Sequence, residues 1–238
     1  MTREASRSAA SSTEHEPDDA GLLVEAVGCS AGYRLLFDSL SFHVPPGRWL
    51  RLTGPNGSGK STLLRAIAGL GRPTAGQIFW NGEPRVAGSV DWHSLMLYQG
   101  HLPGWKDAFS ARDNLLLQRA LDGGLPADDS ASHTDALLER CGLHARANLA
   151  FQRLSAGQRH RVSLARLADS NRALWLLDEP TTALDSAGHT LFGRLLAEHL
   201  VKGGCAVIAT HLPIACDQTP IELDLGQRAG TATGGGQR

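Results

Sequence analysis

With 238 residues, 42% of them apolar, the chain is long enough for one large domain, or a core with a subdomain, and can bury a sizeable core. Its 23 basic and 24 acidic side chains leave a net charge of −1 without a long basic run, which points away from nucleic acid as a partner. No apolar stretch approaches the roughly 20 residues that span a bilayer, so the sequence predicts a soluble protein, or one held at a membrane only through partners. Cys29, Cys141, Cys205 and Cys216 are scattered without C-x-x-C or His-paired spacing, as expected of reduced structural thiols in a cytosolic protein.

Residues 1–20 are rich in Ser, Ala, Glu and Asp without an apolar core and read as a disordered tail. Leu22–Val27 and Leu40–Val44 read as strands, with Pro45-Pro46-Gly47 as a turn. Trp49–Thr53 is a strand feeding a Gly-rich loop, and Ser61–Leu70 repeats its apolar residues at helical spacing. Thr74–Pro84 reads as an antiparallel segment turning at Asn81-Gly82, and Leu95–Tyr98 as the next core strand. From about Gln99 to Phe151 the pattern is mostly helical, with Ser110 and Asp113 as a capping box and a Gly/Asp/Pro-rich loop over Leu121–Ser132. A helix runs on from Ser155, and the apolar runs Leu174–Leu177 and Ala206–Thr210 flank another over about Ser186–His199. Gln227–Arg238 is a Gly/Thr-rich flexible end. Strands alternating with helices indicate an α/β fold with a mostly parallel sheet, an antiparallel β segment and an inserted helical subdomain over about 99–151, within one domain over 21–226.

Three motifs carry chemistry. Gly54-Pro55-Asn56-Gly57-Ser58-Gly59-Lys60-Ser61-Thr62 is a phosphate-binding loop, whose glycines let successive N–H groups face phosphate oxygens at a helix N-terminus. Lys60 can reach the β- and γ-phosphates, and the Ser61 hydroxyl can ligate Mg²⁺. Leu174–Pro180 carries Asp178 and Glu179 to a strand's C-terminal end, where Asp178 can hold the Mg²⁺ shell and Glu179 can polarise an attacking water. Leu154–Gln158 places a hydroxyl (Ser155), a small residue (Ala156), an exposed N–H (Gly157) and Gln158 at a helix start, a second anion site. Ser155 would cap any helix equally well, so that motif has weight only beside the other two.

That order of motifs, closed by His211 after an apolar strand, resembles the ATP-binding-cassette (ABC) ATPases over about residues 22–215. The resemblance implies a P-loop NTPase binding ATP and Mg²⁺, with Glu179, His211 and Lys60 catalytic. It also implies that Ser155, Gly157 and Gln158 face ATP held by a second subunit, so the chain should act as a homodimer or beside a homologous ATPase. Asp185 matches the D-loop, a role compatible with capping a helix, and His211 the γ-phosphate-contacting switch histidine. His15, His133, His144 and His160 read as surface residues. Two departures stand out. Ala31 occupies the place of the adenine-stacking aromatic, with Tyr33 two residues on, which either stacks or only packs. In the Q-loop, counting back from Arg112-Asp113-Asn114 gives His101, with Gln99 just before it; either would fill the family's glutamine role near Mg²⁺.

Gly100-His101 and its surroundings, Leu97–Leu115, are most similar to the CcmA family, the ATP-binding subunits of the bacterial haem exporter in cytochrome c maturation. This implies integral membrane permease partners and a peripheral place on the cytoplasmic face of the inner membrane. Two alternatives are an ABC ATPase for another substrate and a soluble non-transport ABC protein, which generally carries two cassettes or a long coiled-coil insertion. A small-molecule kinase would leave the Ser155 motif and His211 unexplained.

Overall fold

The computed structural model describes residues 20–101, 104–122 and 130–226; residues 1–19 and 227–238, expected as tails, lie outside the described residues. Two sheets organise the chain. β1 (Leu22–Ala31), β2 (Arg34–Val44), β4 (Ala75–Trp80) and β5 (Glu83–Pro84) form an antiparallel sheet in the order β2-β1-β4-β5. β3 (Trp49–Thr53), β6 (Met96–Gln99), β7 (Leu174–Asp178), β8 (Cys205–Ala209) and β9 (Ile221–Asp224) form an all-parallel sheet in the order β6-β7-β8-β3-β9. The helices are α1 (Lys60–Ala68), α2 (Val90–Leu95), α3 (Ala111–Leu121), α4 (Ser130–Arg140), α5 (Ala156–Asp169) and α6 (Ser186–Val201). None of them is long and apolar enough to cross a membrane.

The period-two geometry of strands divides the interior into two cores on the faces of the parallel sheet. Leu174, Leu176, Cys205, Val207, Leu50 and Leu52 point into one, shared with α1 and the antiparallel sheet. Trp175, Leu177, Ala206, Ile208 and Trp49 point into the other, with α5, α6 and the inserted helices. Leu115, Leu138 and Phe151 of the insert therefore pack into the same core as Phe192 of α6. All strands of this sheet are parallel, so β3, β6, β7 and β8 deliver their C-terminal ends to one edge, where the site lies.

Several expected boundaries move. The second strand starts at Arg34 rather than Leu40, because β1 and β2 pair out to Ala31 and Arg34 in one long irregular hairpin. α2 and β9 are additional elements, and α4 begins at Ser130, inside the expected loop; residues 123–129 lie outside the described residues. Cys29, Cys141 and Cys205 are buried and unpaired, with burial pushing their thiols up to about 11, 12 and 12.

Candidate nucleotide-binding and catalytic site

The loop leaving β3 wraps the N-terminus of α1. Gly54, Gly57 and Gly59 all have positive φ; at Gly59, with φ 106°, a Cβ would lie 2.8 Å from the Phe37 ring, so only glycine fits. The N–H groups of Gly57, Gly59, Lys60 and Ser61 have no hydrogen-bond partner among the described residues, the condition of a helix start open to an anion. Lys60 is 8% exposed, and its ammonium donates to the carbonyl oxygens of Gly54 at 2.6 Å and Pro55 at 3.2 Å. The cation is thus folded over the loop, ready for a phosphate.

A cleft of about 340 Å³ opens here, walled by the loop residues Asn56, Gly57 and Gly59–Thr62 on one side and by His101, Asp178 and Glu179 on the other. Asp178, at the end of β7, is buried. Glu179 follows in the left-handed region, φ 51°, a strained setting for a residue with a Cβ, and its N–H donates to Ala209 O at 2.8 Å. That turn aims the carboxylate outward, and its Oε1 lies 3.6 Å from Nε2 of His211, which follows β8. Phosphate loop, two carboxylates and histidine therefore meet at one strand edge, as a phosphoryl-transfer site requires. Ser61 hydroxyl and Asp178 carboxylate are hard oxygen donors, the set that suits Mg²⁺, and Gln99 Oε1 is buried nearby without a partner.

Of the two Q-loop candidates, His101 borders this cleft. Gln99, still inside β6, lines the adjoining cavity of about 470 Å³ together with His101, Asp178 and Glu179. Tyr33 is fully exposed at the tip of the β1–β2 hairpin, with nothing packed on it among the described residues; Ala31 and Leu36 are the residues of that hairpin that reach the cleft. His160, expected at the surface, is instead half-buried beside that larger cavity, and burial, with the nearby His101, lowers its pKa.

Ser155 caps α5. Its Oγ accepts from Gln158 N at 3.2 Å and its N–H donates to Gln158 Oε1 at 3.0 Å, a reciprocal capping box. Gly157 runs close to the segment after β7; a Cβ there would lie 3.3 Å from Ala183 O. None of Ser155, Gly157 and Gln158 borders the phosphate cleft of its own chain. Asp185 caps α6, accepting from Gly188 N at 2.8 Å, and takes a two-pronged bond from Arg161 of α5 at 2.7 and 2.8 Å. The Gly188 bond first, and then Arg161, hold its carboxyl below the usual carboxylate range. Arg161 was not a sequence candidate; only a long-range contact identifies it.

The ABC transporter family profile matches residues 37–182. A cytochrome c biogenesis ATP-binding export protein CcmA of Aromatoleum aromaticum is 42% identical over 204 residues, covering 85% of this chain and 94% of that protein. The CcmA of Nitrosomonas europaea is 45% identical, covering 77% and 84%. The chain belongs to the CcmA family of ABC ATP-binding proteins. In fold it is similar to an ABC transporter ATP-binding protein from Pyrococcus furiosus, at a TM-score of 0.71 and 23% identity over 87% of this chain and 98% of that one. A CcmA chain is an ABC-type ATPase.

Proposed function

We propose that this chain hydrolyses ATP as a homodimer for an ABC transport system of cytochrome c biogenesis, on the cytoplasmic face of the inner membrane and bound to integral membrane permease subunits. One observation carries the dimer. The phosphate loop and its carboxylates form one cleft, whereas the helix end at Ser155 and Gly157, exposed at Ser155 and Ala156, stands outside it, and one γ-phosphate does not need both from one chain. The role in cytochrome c biogenesis, with haem or a haem-loaded chaperone as cargo, rests on the likeness to the CcmA relatives.

In this reading the unpaired N–H groups of the loop and Lys60 bind the β- and γ-phosphates. Ser61 and Asp178 would hold Mg²⁺, with Gln99 behind them, and the ion would supply charge neutralisation on the phosphate oxygens. Glu179 takes a proton from the attacking water as the oxygen bonds to the γ-phosphorus and ADP leaves. His211, within 3.6 Å of Glu179, contacts the γ-phosphate and orients that carboxylate. His101, on the same wall as Asp178 and Glu179, contacts the same phosphate end, and Tyr33 would reach adenine only by folding in from the hairpin tip. Asp185 would set the dimer interface through its hold on α5.

The test is Glu179→Gln in the purified chain and in cells. It should keep ATP affinity, lower turnover by about 10²–10⁴, trap a dimer in ATP, and leave c-type cytochromes without haem. Unchanged turnover removes Glu179 as the base; normal cytochrome c with turnover abolished removes the biogenesis role.

A further inference from the structure

A pocket of about 250 Å³ lies between β5 and α2, and it shares no lining residue with the phosphate cleft or with the larger cavity beside that cleft. Trp80 of β4 and Trp92 of α2 line it, edge-on to each other with ring centroids 6.5 Å apart. Arg85, which follows β5, lines it too, and its backbone N–H donates to Ile78 O at 2.7 Å. The guanidinium of Arg85 is left without a counterpart. Its Nε and Nη1 are buried with no hydrogen-bond partner, and it forms no ion pair among the described residues. Burial lowers its pKa, with no neighbouring carboxylate to offset the effect.

An arginine in this place would ordinarily cap the end of a helix. Arg85 does lie against the C-terminal end of α1: a Cβ on Gly69, its left-handed cap, would stand 3.0 Å from Arg85 Nη1. The carbonyls there are already used, however. Gly69 N–H donates to Ala66 O, Leu70 and Gly71 N–H donate to Arg65 O, and the Trp92 indole N–H donates to Ile67 O at 3.0 Å. Glu83 and Asp91 border the pocket, but both are exposed and neither pairs with Arg85. A partly buried cation without an acceptor is costly, and a planar carboxylate matches a guanidinium edge with two parallel bonds. The acidic rim disfavours a doubly charged group such as a phosphate, and the two indoles with Val86 supply apolar walls. The volume lies just below the about 300–1,000 Å³ of drug-sized sites, which suits a small ligand.

We propose that Arg85, Trp80 and Trp92 form a binding site for a single carboxylate carried on an apolar group. Two sources supply that chemistry. One is a free small organic acid. The other is Glu16, which stands beside Pro17 among the acids Glu14, Glu16, Asp18 and Asp19 just before Ala20. The described chain begins next to Trp80: His43 Nε2 and Ala20 O lie 2.8 Å apart, and Gly21 N–H donates to Asn81 Oδ1 at 2.7 Å. Four residues of chain span at most about 14 Å, and β5 lies two strand spacings from β1, about 10 Å, so Glu16 is within reach.

The test is titration of the full chain with 3-phenylpropionate and with its uncharged amide, 3-phenylpropanamide. Binding is followed by the Trp80 indole N–H resonance, assigned with Trp80→Phe. The acid should shift that resonance with a Kd on the order of 1 mM, ordinary for a ligand of its size. The amide should bind at least about tenfold more weakly, and Arg85→Gln should weaken the acid by about the same factor. The amide comparison stands even where Arg85→Gln fails to fold. Replacing Glu14, Glu16, Asp18 and Asp19 together by Gln and Asn separates the sources. Severalfold tighter binding of the acid than in the wild type identifies this chain's own segment as the occupant, and equal binding identifies a free acid. Acid and amide binding alike, an acid affinity untouched by Arg85→Gln, or no shift at about 20 mM would overturn the site.

Discussion

Glu179 sets function against backbone strain, and the conflict can be measured with two substitutions that both remove the carboxylate. At φ 51° any residue bearing a Cβ is strained, while the Glu179 N–H bond to Ala209 O holds the backbone there. Glu179→Ala keeps that strain and Glu179→Gly removes it. The left-handed region costs a Cβ-bearing residue about 1–2 kcal/mol, and the extra freedom of glycine in the unfolded chain offsets about 0.4–1 kcal/mol of the gain. The partly exposed contact with His211 is lost in both and cancels. Glu179→Gly should therefore be more stable than Glu179→Ala by about 0.5–1 kcal/mol, or about 1–4 °C in a chain of this size, the reverse of the usual order for these residues. Urea and thermal melts followed by tryptophan fluorescence read the difference directly, and ATPase assays should show both variants inactive. An alanine variant as stable as the glycine variant, or more so, would refute the strain argument.

Two further predictions test other parts of the molecule. Ser155→Arg should leave ATP affinity of the monomer unchanged while lowering turnover by about 10²-fold or more and preventing the ATP-driven dimer; a weakened monomer Kd would place Ser155 in its own chain's cleft. His199 is 7% exposed, stacks on Trp175 at 4.0 Å and donates from Nε2 to Cys205 O at 2.9 Å, and burial lowers its pKa more than that bond raises it. The unfolded chain takes up this proton near pH 6.5 and the native chain only at lower pH. Stability is therefore full above that value and declines as pH falls below it, by at most about 1.4 kcal/mol per unit for this group. His199→Phe keeps a ring on Trp175, and its urea midpoint should fall less than that of the wild type between pH 7.5 and 5.5. Equal declines would remove His199 from the pH dependence.

The elements carrying chemistry were legible because their signals are local. The phosphate loop needs glycines in sequence, β7 and β8 are continuous apolar runs, and the Ser110 and Ser155 boxes span only four residues each. Counting from Asn114 placed His101, which borders the cleft, although the side chain of Gln99 is the one buried beside it. What escaped depends on distant partners. The outer part of the hairpin, 28–37, carries Gly, Ser and Arg that break the strand pattern, and its pairing tolerates register shifts. α2 is a six-residue helix with one buried residue, Trp92, and β9 is a four-residue edge strand held by β3. His160 read as a surface residue because its half-buried setting is made by the His101 loop, some 60 positions away. The Trp105–Ser163 and Arg161–Asp185 hydrogen bonds likewise join residues 58 and 24 positions apart, and nothing local in either segment announces them.

The capping box on α5 has an entropic consequence. Ser155 Oγ accepts from Gln158 N and Ser155 N–H donates to Gln158, so both rotamers are settled in the free subunit, while the hydroxyl proton of Ser155 remains available to point outward. In the proposed dimer a second subunit's phosphate would meet a donor already frozen in place. Closure would then immobilise whole subunits and release water, and lose little side-chain freedom at the helix end itself. A pre-set surface of this kind can form and separate once per turnover without refolding any part of itself.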